Sequence, residues 1–147
     1  MNNYQLQHIL RVYPVTVCAA DEIRKQKGRF VIANTDTCEG PGKHWVTFYF
    51  PKRGHYEFFD SMGNSPESYG VGFEKILDRK YLMYNGQLQQ SFSNVCGLYC
   101  IYYVMCRYRG RTMTSIVKEF NPRQKKQNDR LVVSKMKNIV KTMYENN

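Results

Sequence analysis

The sequence predicts an α+β domain: a small mixed or antiparallel central sheet flanked by helices. Three observations predict it. Short aromatic and β-branched runs (RFVIAN, HWVTFYF and HYEFFD) follow one another with turn residues between them, the pattern of neighbouring strands. CGLYCIYYVMCRYRG is a continuous apolar run, too long for a strand, that stops at a glycine and reads as a helix buried on most sides. Both ends of the chain place apolar residues at helical spacing.

Taken in order, YQLQHILRVY has Leu6, Ile9, Leu10 and Tyr13 near helical spacing and meets Pro14, which predicts a short first helix. A variable stretch containing DEIRKQ leads to RFVIAN, a strand, and then to NTDTCEGPGK, a loop by its Asn, Asp, Gly and Pro content. HWVTFYF and HYEFFD are separated by PKRG and should form an antiparallel hairpin. SPESYGVGFEKILDRK reads as a capped segment becoming helical. YLMYN and QLQQSF read as further short strands, with Asn85-Gly86 as a tight turn between them. Ser93 or Asn94 should cap the buried helix, which places Cys96 in its first turn. In the last segment Val132, Met136, Ile139, Val140 and Met143 share a stripe, with Lys135, Lys137 and Lys141 turned away.

At 147 residues, one domain spanning 1–147 is expected, and 42% apolar with 14% aromatic residues is enough to build its core. No window approaches the roughly 20 apolar residues of a membrane span, and the first residues lack the pattern of a signal peptide, so an intracellular protein without membrane partners is expected. Five cysteines, at 18, 38, 96, 100 and 106, lack the spacing of a disulfide scaffold and read as free thiols. No CxxC pair or close Cys/His cluster points to zinc, and no metal or other cofactor is expected. The net charge of +10 is lopsided: 11 Lys/Arg face 3 Asp/Glu from Arg107 onward, which makes the last third a candidate polyanion surface.

The chemistry centres on Cys96. A helix N-terminus stabilises a thiolate through its free N–H groups and the positive end of its dipole, and Gly97 leaves room for a substrate backbone. An isolated helical cysteine is more often a small core residue, as Cys100 and Cys106 should be. A base and an orienting group change that balance. The hairpin offers His44 at the start of one strand and Asp60 at the end of the next. The two face the same side only if the loop has an odd residue count or a bulge intervenes, with Gly54 the natural pivot. His55, at odd spacing from Asp60, should face away, and His8 is ordinary. Oxyanion donors could come from the Cys96 N–H and from Gln90 or Gln89.

The ordered blocks NTDTCEGPGKHWVTFYF, YEFFDSMG and QSFSNVCGLYC, from about Phe30 to Cys106, resemble those of the adenovirus protease (adenain) family of cysteine peptidases. The order His, acid, Gln, Cys is shared with the SUMO and ubiquitin-like proteases of the same clan. The resemblance implies a papain-like cysteine peptidase fold with His44 as general base, Asp60 as its orienting acid, Cys96 as nucleophile and Gln90 as oxyanion donor, Gln89 being its rival. Trp45 would wall the site. Val95, where SUMO proteases usually carry Asp, favours the viral branch, and the short chain resembles the proteases of polintons, adintoviruses and adomaviruses.

By this resemblance the expected function is an endopeptidase that cleaves viral structural precursors during virion maturation, a monomer acting in the host nucleus and the virion. Activation by DNA, by a viral peptide, or by both is implied. A disulfide-linked peptide is not, since no cysteine lies between Cys38 and Cys96. Arg107, Arg109, Arg111, Lys118, Arg123, Lys125 and Lys126 are the candidate phosphate contacts. Two other functions compete: a deubiquitinase or SUMO-type isopeptidase, and a non-catalytic basic module that binds nucleic acid with Cys96 structural.

Overall fold

The computed structural model describes residues 1–40, 43–78, 80–139 and 141. Helix α1 (Asn3–Ile9) is closed at its start by a reciprocal cap between Asn2 and Gln5, and buries Leu6 and Leu10. Strand β1 (Val15–Cys18) follows Pro14 and pairs in parallel with β2 (Arg29–Asn34). β3 (Trp45–Phe50) pairs antiparallel with β2 and with β4 (Tyr56–Phe59). β5 (Tyr81–Met83) closes the other edge in parallel with β4. The result is a five-stranded mixed sheet in the order β1-β2-β3-β4-β5. Between β4 and β5 lie a 3₁₀ turn (Pro66–Tyr69) and the short helix α2 (Phe73–Leu77). After β5 come α3 (Cys96–Tyr108), α4 (Met113–Val117) and α5 (Lys125–Lys135).

Alternation along the strands separates two cores. Phe30, Ile32 and Phe59 face α3, whose Tyr99, Ile101 and Tyr103 are fully buried, with α1, α4 and α5 packed around it. Val31, Ala33, Val46, Phe48 and Phe58 point the other way, onto Phe73 and Leu77 of α2. The buried helix read from CGLYCIYYVMCRYRG is therefore the centre of the larger core. It ends near Gly110, whose φ of +92° is the left-handed geometry a glycine accepts without strain.

The β3–β4 register sets the site. Thr47 pairs with Phe59, Phe48 with Phe58 and Tyr49 with Glu57, so the connection runs over the five residues 51–55. That count is odd, no bulge intervenes in the ladder, and Gly54 turns the chain at φ +96°. Extending the register puts 44 and 60 on the same side of the sheet, while His55 sits exposed in the loop.

Several expected elements differ. QLQQSF is not a strand and Asn85-Gly86 is not a hairpin turn, because β5 pairs with β4 alone. The amides that a strand would offer go elsewhere: Leu88 and Gln89 N–H both donate to the Ser61 carbonyl (2.8 and 3.0 Å), and Gln90 N–H donates to the Asp129 carboxylate. Gly63 permits this approach, since a Cβ there would lie 2.6 Å from the Gly86 backbone. β1 lies in the stretch left unassigned from sequence; a four-residue edge strand carries little periodicity of its own. In the terminal segment Val132 and Met136 are buried and Ile139 packs beside them, whereas Val140 and Met143 lie outside the described residues. Lys135 is not turned away: it pairs with Glu119 at 2.7 Å and lies over the Tyr102 ring.

Candidate active site

His44 immediately precedes β3, and its backbone carbonyl accepts from Thr35 N–H at 2.8 Å, which fixes the strand entry. Its Nε2 lies 2.7 Å from Asp60 Oδ1. Asp60 follows β4 and is 1% exposed. The same Oδ1 accepts from Met62 N–H (2.9 Å), and Oδ2 accepts from the Tyr69 hydroxyl. Three donors thus converge on a buried carboxylate, which fixes its plane and keeps its charge compensated. With Nε2 occupied, Nδ1 is the ring nitrogen left to meet Cys96.

Cys96 is half-buried at the first position of α3. The opposing influences on its thiol are clear. Burial raises its pKa, but the interaction with the His44 side chain and its charge, with the Trp45 and Gly97 N–H groups behind them, outweigh burial and bring it below the ordinary thiol value. Burial alone would lower His44. The hydrogen bonds and charges of Asp60 and Cys96 instead lift it to about 9. Both shifts favour one species, a Cys96 thiolate beside a His44 imidazolium.

The other cysteines contrast with it. Burial, then Glu22 and Asp21, push Cys18 up to about 12, and burial drives Cys100 well above the ordinary value. Cys38 is exposed, yet its thiol donates to Asp21 Oδ2 at 3.2 Å, and that bond to a carboxylate raises its pKa. Against the raised thiols of Cys18, Cys38 and Cys100, that of Cys96 is lowered.

The expected side-chain cap of α3 is absent. The N-cap is Val95, which makes no side-chain hydrogen bond, and Ser93 is engaged instead by Gln89 Nε2 through its carbonyl (3.0 Å) and hydroxyl (3.1 Å). An uncapped N-terminus keeps its N–H groups available to the sulfur and to an adjacent anion. Gly97 is not an open wall for substrate either. It is buried, and a Cβ there would meet Met1 and Leu6; its contribution is the N–H directed at Cys96.

Of the two glutamines, Gln89 faces the site. It is 2% exposed, its Oε1 accepts from Ser61 Oγ at 2.6 Å, and it lines the same cleft as His44 and Tyr69. Gln90 is exposed on the opposite side, among Arg123, Lys125, Lys126 and Arg130. The fold makes this choice through α5: Asp129 holds the Gln90 N–H and the Tyr99 hydroxyl (2.8 Å), while Asn128 Nδ2 donates to the Leu88 carbonyl (3.1 Å). These pins rotate Gln90 outward and Gln89 inward, which corrects the assignment of Gln90.

A cleft of about 580 Å³ lies on one side of Cys96 and His44, walled by Trp45, Asn34, Glu22 and Cys38. A second, of about 400 Å³, lies on the other side of His44, with Tyr69, Gln89, Met62 and Phe92. Trp45 is half-buried in the first, its Nε1–H donating to the Met1 carbonyl at 3.0 Å. The two clefts share Lys43, His44 and Ser93 in their walls, and Cys96 lines the first.

The basic residues divide. Arg107 is committed to buried Glu57 in a two-pronged pair (2.9 and 2.6 Å) and stacks on Tyr49, while the Tyr103 hydroxyl donates to the same carboxylate. Arg111 pairs with Glu119 and donates to the Ser115 carbonyl at 2.9 Å. Neither is a free phosphate contact. Arg109, Lys118, Arg123, Lys125 and Lys126 keep partly or fully exposed positions. Among the described residues no group of three or more metal-ligating side chains occurs, and no helix is long and apolar enough to cross a membrane. Tyr69, Ser61, Asn128 and Asp129 were missed from sequence. Each acts through a partner far along the chain, and only the aromatic Tyr69 near Asp60 left a local hint.

No protein-family model matches this chain. It is 28% identical over 98 residues to the cysteine protease S273R of a tick isolate of African swine fever virus, covering 58% of this chain and 36% of that protein. It is 26% identical over 114 residues to a protein named SUMO-1 cysteine protease S273R from a warthog isolate, covering 63% of this chain and 42% of that protein. The chain therefore spans less than half the length of these relatives. The crystal structure of the African swine fever virus pS273R protease matches its fold with a TM-score of 0.50 at 17% identity, over 80% of this chain and 61% of that one. The α+β architecture, a mixed sheet flanked by helices, is shared with a viral cysteine protease.

Proposed function

We propose that this protein is a cysteine peptidase of viral type that cuts polypeptide chains with Cys96 as nucleophile, His44 as base and acid, and Asp60 as the group that orients His44. The observation that carries the reading is the Asp60–His44–Cys96 line at the start of α3, in which the one half-buried thiol of lowered pKa meets a histidine held cationic by a buried carboxylate. Similarity to viral proteins named as cysteine proteases supports it.

In this scheme the Cys96 thiolate adds to the scissile carbonyl carbon, and the resulting oxyanion sits before the first N–H groups of α3 and the Gln89 amide. Gln89 Nε2 now meets Ser93, so the oxyanion would displace the Ser93 hydroxyl from one amide hydrogen. His44 Nδ1–H protonates the departing amine, leaving a thioester. His44 then removes a proton from water, hydroxide equivalents attack the thioester, and the acid leaves as the thiolate re-forms. Asp60 keeps Nε2–H bonded throughout, so Nδ1 alone carries the proton in transit.

The substrates we propose are structural precursor proteins of a virus, as in the adenain-like reading. A SUMO-type isopeptidase is the second reading, favoured by the name SUMO-1 cysteine protease carried by relatives. Val95 before the nucleophile, where SUMO proteases usually carry Asp, favours the viral-precursor reading. DNA as a stimulating partner is proposed through Arg109, Lys118, Arg123, Lys125 and Lys126 only; a binding constant falling steeply with salt supports it, and a flat response removes it. Incubating the protein with an internally quenched peptide library, SUMO conjugates and ubiquitin conjugates tests the reading. Cleavage of any of them that is abolished by Cys96→Ala supports a peptidase. Cleavage that survives Cys96→Ala, or none at all, overturns it.

A further inference from the structure

Phe92 is fully exposed, at 106% of its reference accessibility, and its φ of +67° is left-handed. Ser93 N–H donates to the Gln90 carbonyl at 3.2 Å and closes a four-residue turn. Phe92 is the third residue of that turn, where glycine or asparagine is favoured because a Cβ crowds the backbone. The other described non-glycine residue at positive φ is Asp78, a type that tolerates it. Phenylalanine at this place thus gains nothing from burial and carries backbone strain. Stability gives no reason for it, and strained residues held by a well-determined surround gather at ligand sites.

The surround here is well determined. Gln89 is buried against Ser61, and its amide holds Ser93, so both flanks of the turn are fixed. The ring stands on the wall of the cleft that also contains His44, Tyr69, Gln89 and Met62, four residues before Cys96. We propose that Phe92 is a specificity-determining residue. Its ring, on the cleft that Met62 also lines, takes an apolar side chain of the bound polypeptide within two residues of the scissile bond, on the Tyr69–Gln89 side of Cys96. The proposal rests on the peptidase reading above.

The test compares wild type with Phe92→Gly and Phe92→Asn, which accept the left-handed backbone, and with Phe92→Trp, which keeps an aromatic ring. The substrates are internally quenched peptides cleaved by the wild type and varied on both sides of the cut between Leu or Phe and Ser or Asp. The expected result is an unchanged or higher Tm for Gly and Asn, an unchanged rate of Cys96 alkylation by iodoacetamide, and kcat/KM about tenfold lower only on peptides with the apolar residue. Phe92→Trp should retain the preference. A Tm several degrees lower, or kcat/KM unaltered or reduced equally on all peptides, overturns the proposal. So does a loss confined to folded SUMO or ubiquitin conjugates, which would make Phe92 a docking residue for a folded partner. A wild type that cleaves peptides while the variants match it defeats this inference alone. A wild type that cleaves nothing defeats the peptidase reading, and this inference with it.

Discussion

Replacing Asp60 by asparagine isolates the charge that the site depends on. Asparagine has nearly the same shape, and its carbonyl oxygen can keep the bonds from His44 Nε2 and Met62 N–H while the Tyr69 hydroxyl rotates to accept from the new amide. The fold should survive, and only the negative charge is lost. His44 is lifted to about 9 from an ordinary 6.5 although burial pulls it down, a difference of about 3 kcal/mol between its two forms. Without Asp60⁻ burial prevails, His44 becomes neutral at pH 7, and Cys96 loses the partner that held its thiol down. The expected kcat/KM falls by about 10²–10³-fold, the rate factor corresponding to about 3–4 kcal/mol. The iodoacetamide rate at Cys96 should fall at least about tenfold at pH 6.5. Stability carries the same sign: a raised histidine pKa contributes fully below 6.5 and is lost as pH rises through about 9, so the wild-type advantage over Asp60→Asn in urea should shrink across that window. An Asp60→Asn protein that alkylates within threefold of wild type at pH 6.5 refutes the role given to Asp60.

Other predictions separate the neighbours. Tyr69→Phe removes one donor from buried Asp60 and should lower kcat/KM about tenfold and shift the acid limb of its pH profile; an identical profile would make Tyr69 mere packing. Gln89→Ala should lower kcat by about 10²-fold with KM little changed, while Gln90→Ala stays near wild type, and the reverse order would restore Gln90. Arg107→Ala leaves Glu57 buried without its cation and should cost about 3 kcal/mol of stability in urea, with Cys96 alkylation unaltered and no change in the salt slope of any DNA binding.

What the chain reveals on reading alone is what local pattern encodes. The aromatic and β-branched runs RFVIAN, HWVTFYF and HYEFFD, set off by turn residues, gave strands within a residue or two, and the apolar run after Asn94 gave α3. The parity argument for 44 and 60 needed only the length of one loop, which the register supplies. The failures share a cause. QLQQSF has the composition of a strand, but its amides are taken by Ser61 and Asp129 and its Leu88 carbonyl by Asn128, residues no local window contains. The same distant pins decide between Gln89 and Gln90. Arg107 and Arg111 count as charge in the sequence, and only the fold reveals Glu57 and Glu119 beside them. Ser93, a good cap by type, is held by Gln89 instead.

Relative thiol reactivity tests the central claim most directly. Exposure alone ranks Cys38 first, since it is open to solvent while Cys96 is half-buried. Electrostatics reverses that order, because Asp21 raises Cys38 whereas His44 and the Trp45 and Gly97 amides lower Cys96. Limited iodoacetamide treatment of the native protein at pH 6.5, with the modified cysteine mapped by mass spectrometry, should label Cys96 at least about tenfold faster than Cys38. That advantage should vanish in His44→Ala. Labelling of Cys38 first, or a Cys96 rate indifferent to His44, would contradict a thiolate–imidazolium pair at the head of α3.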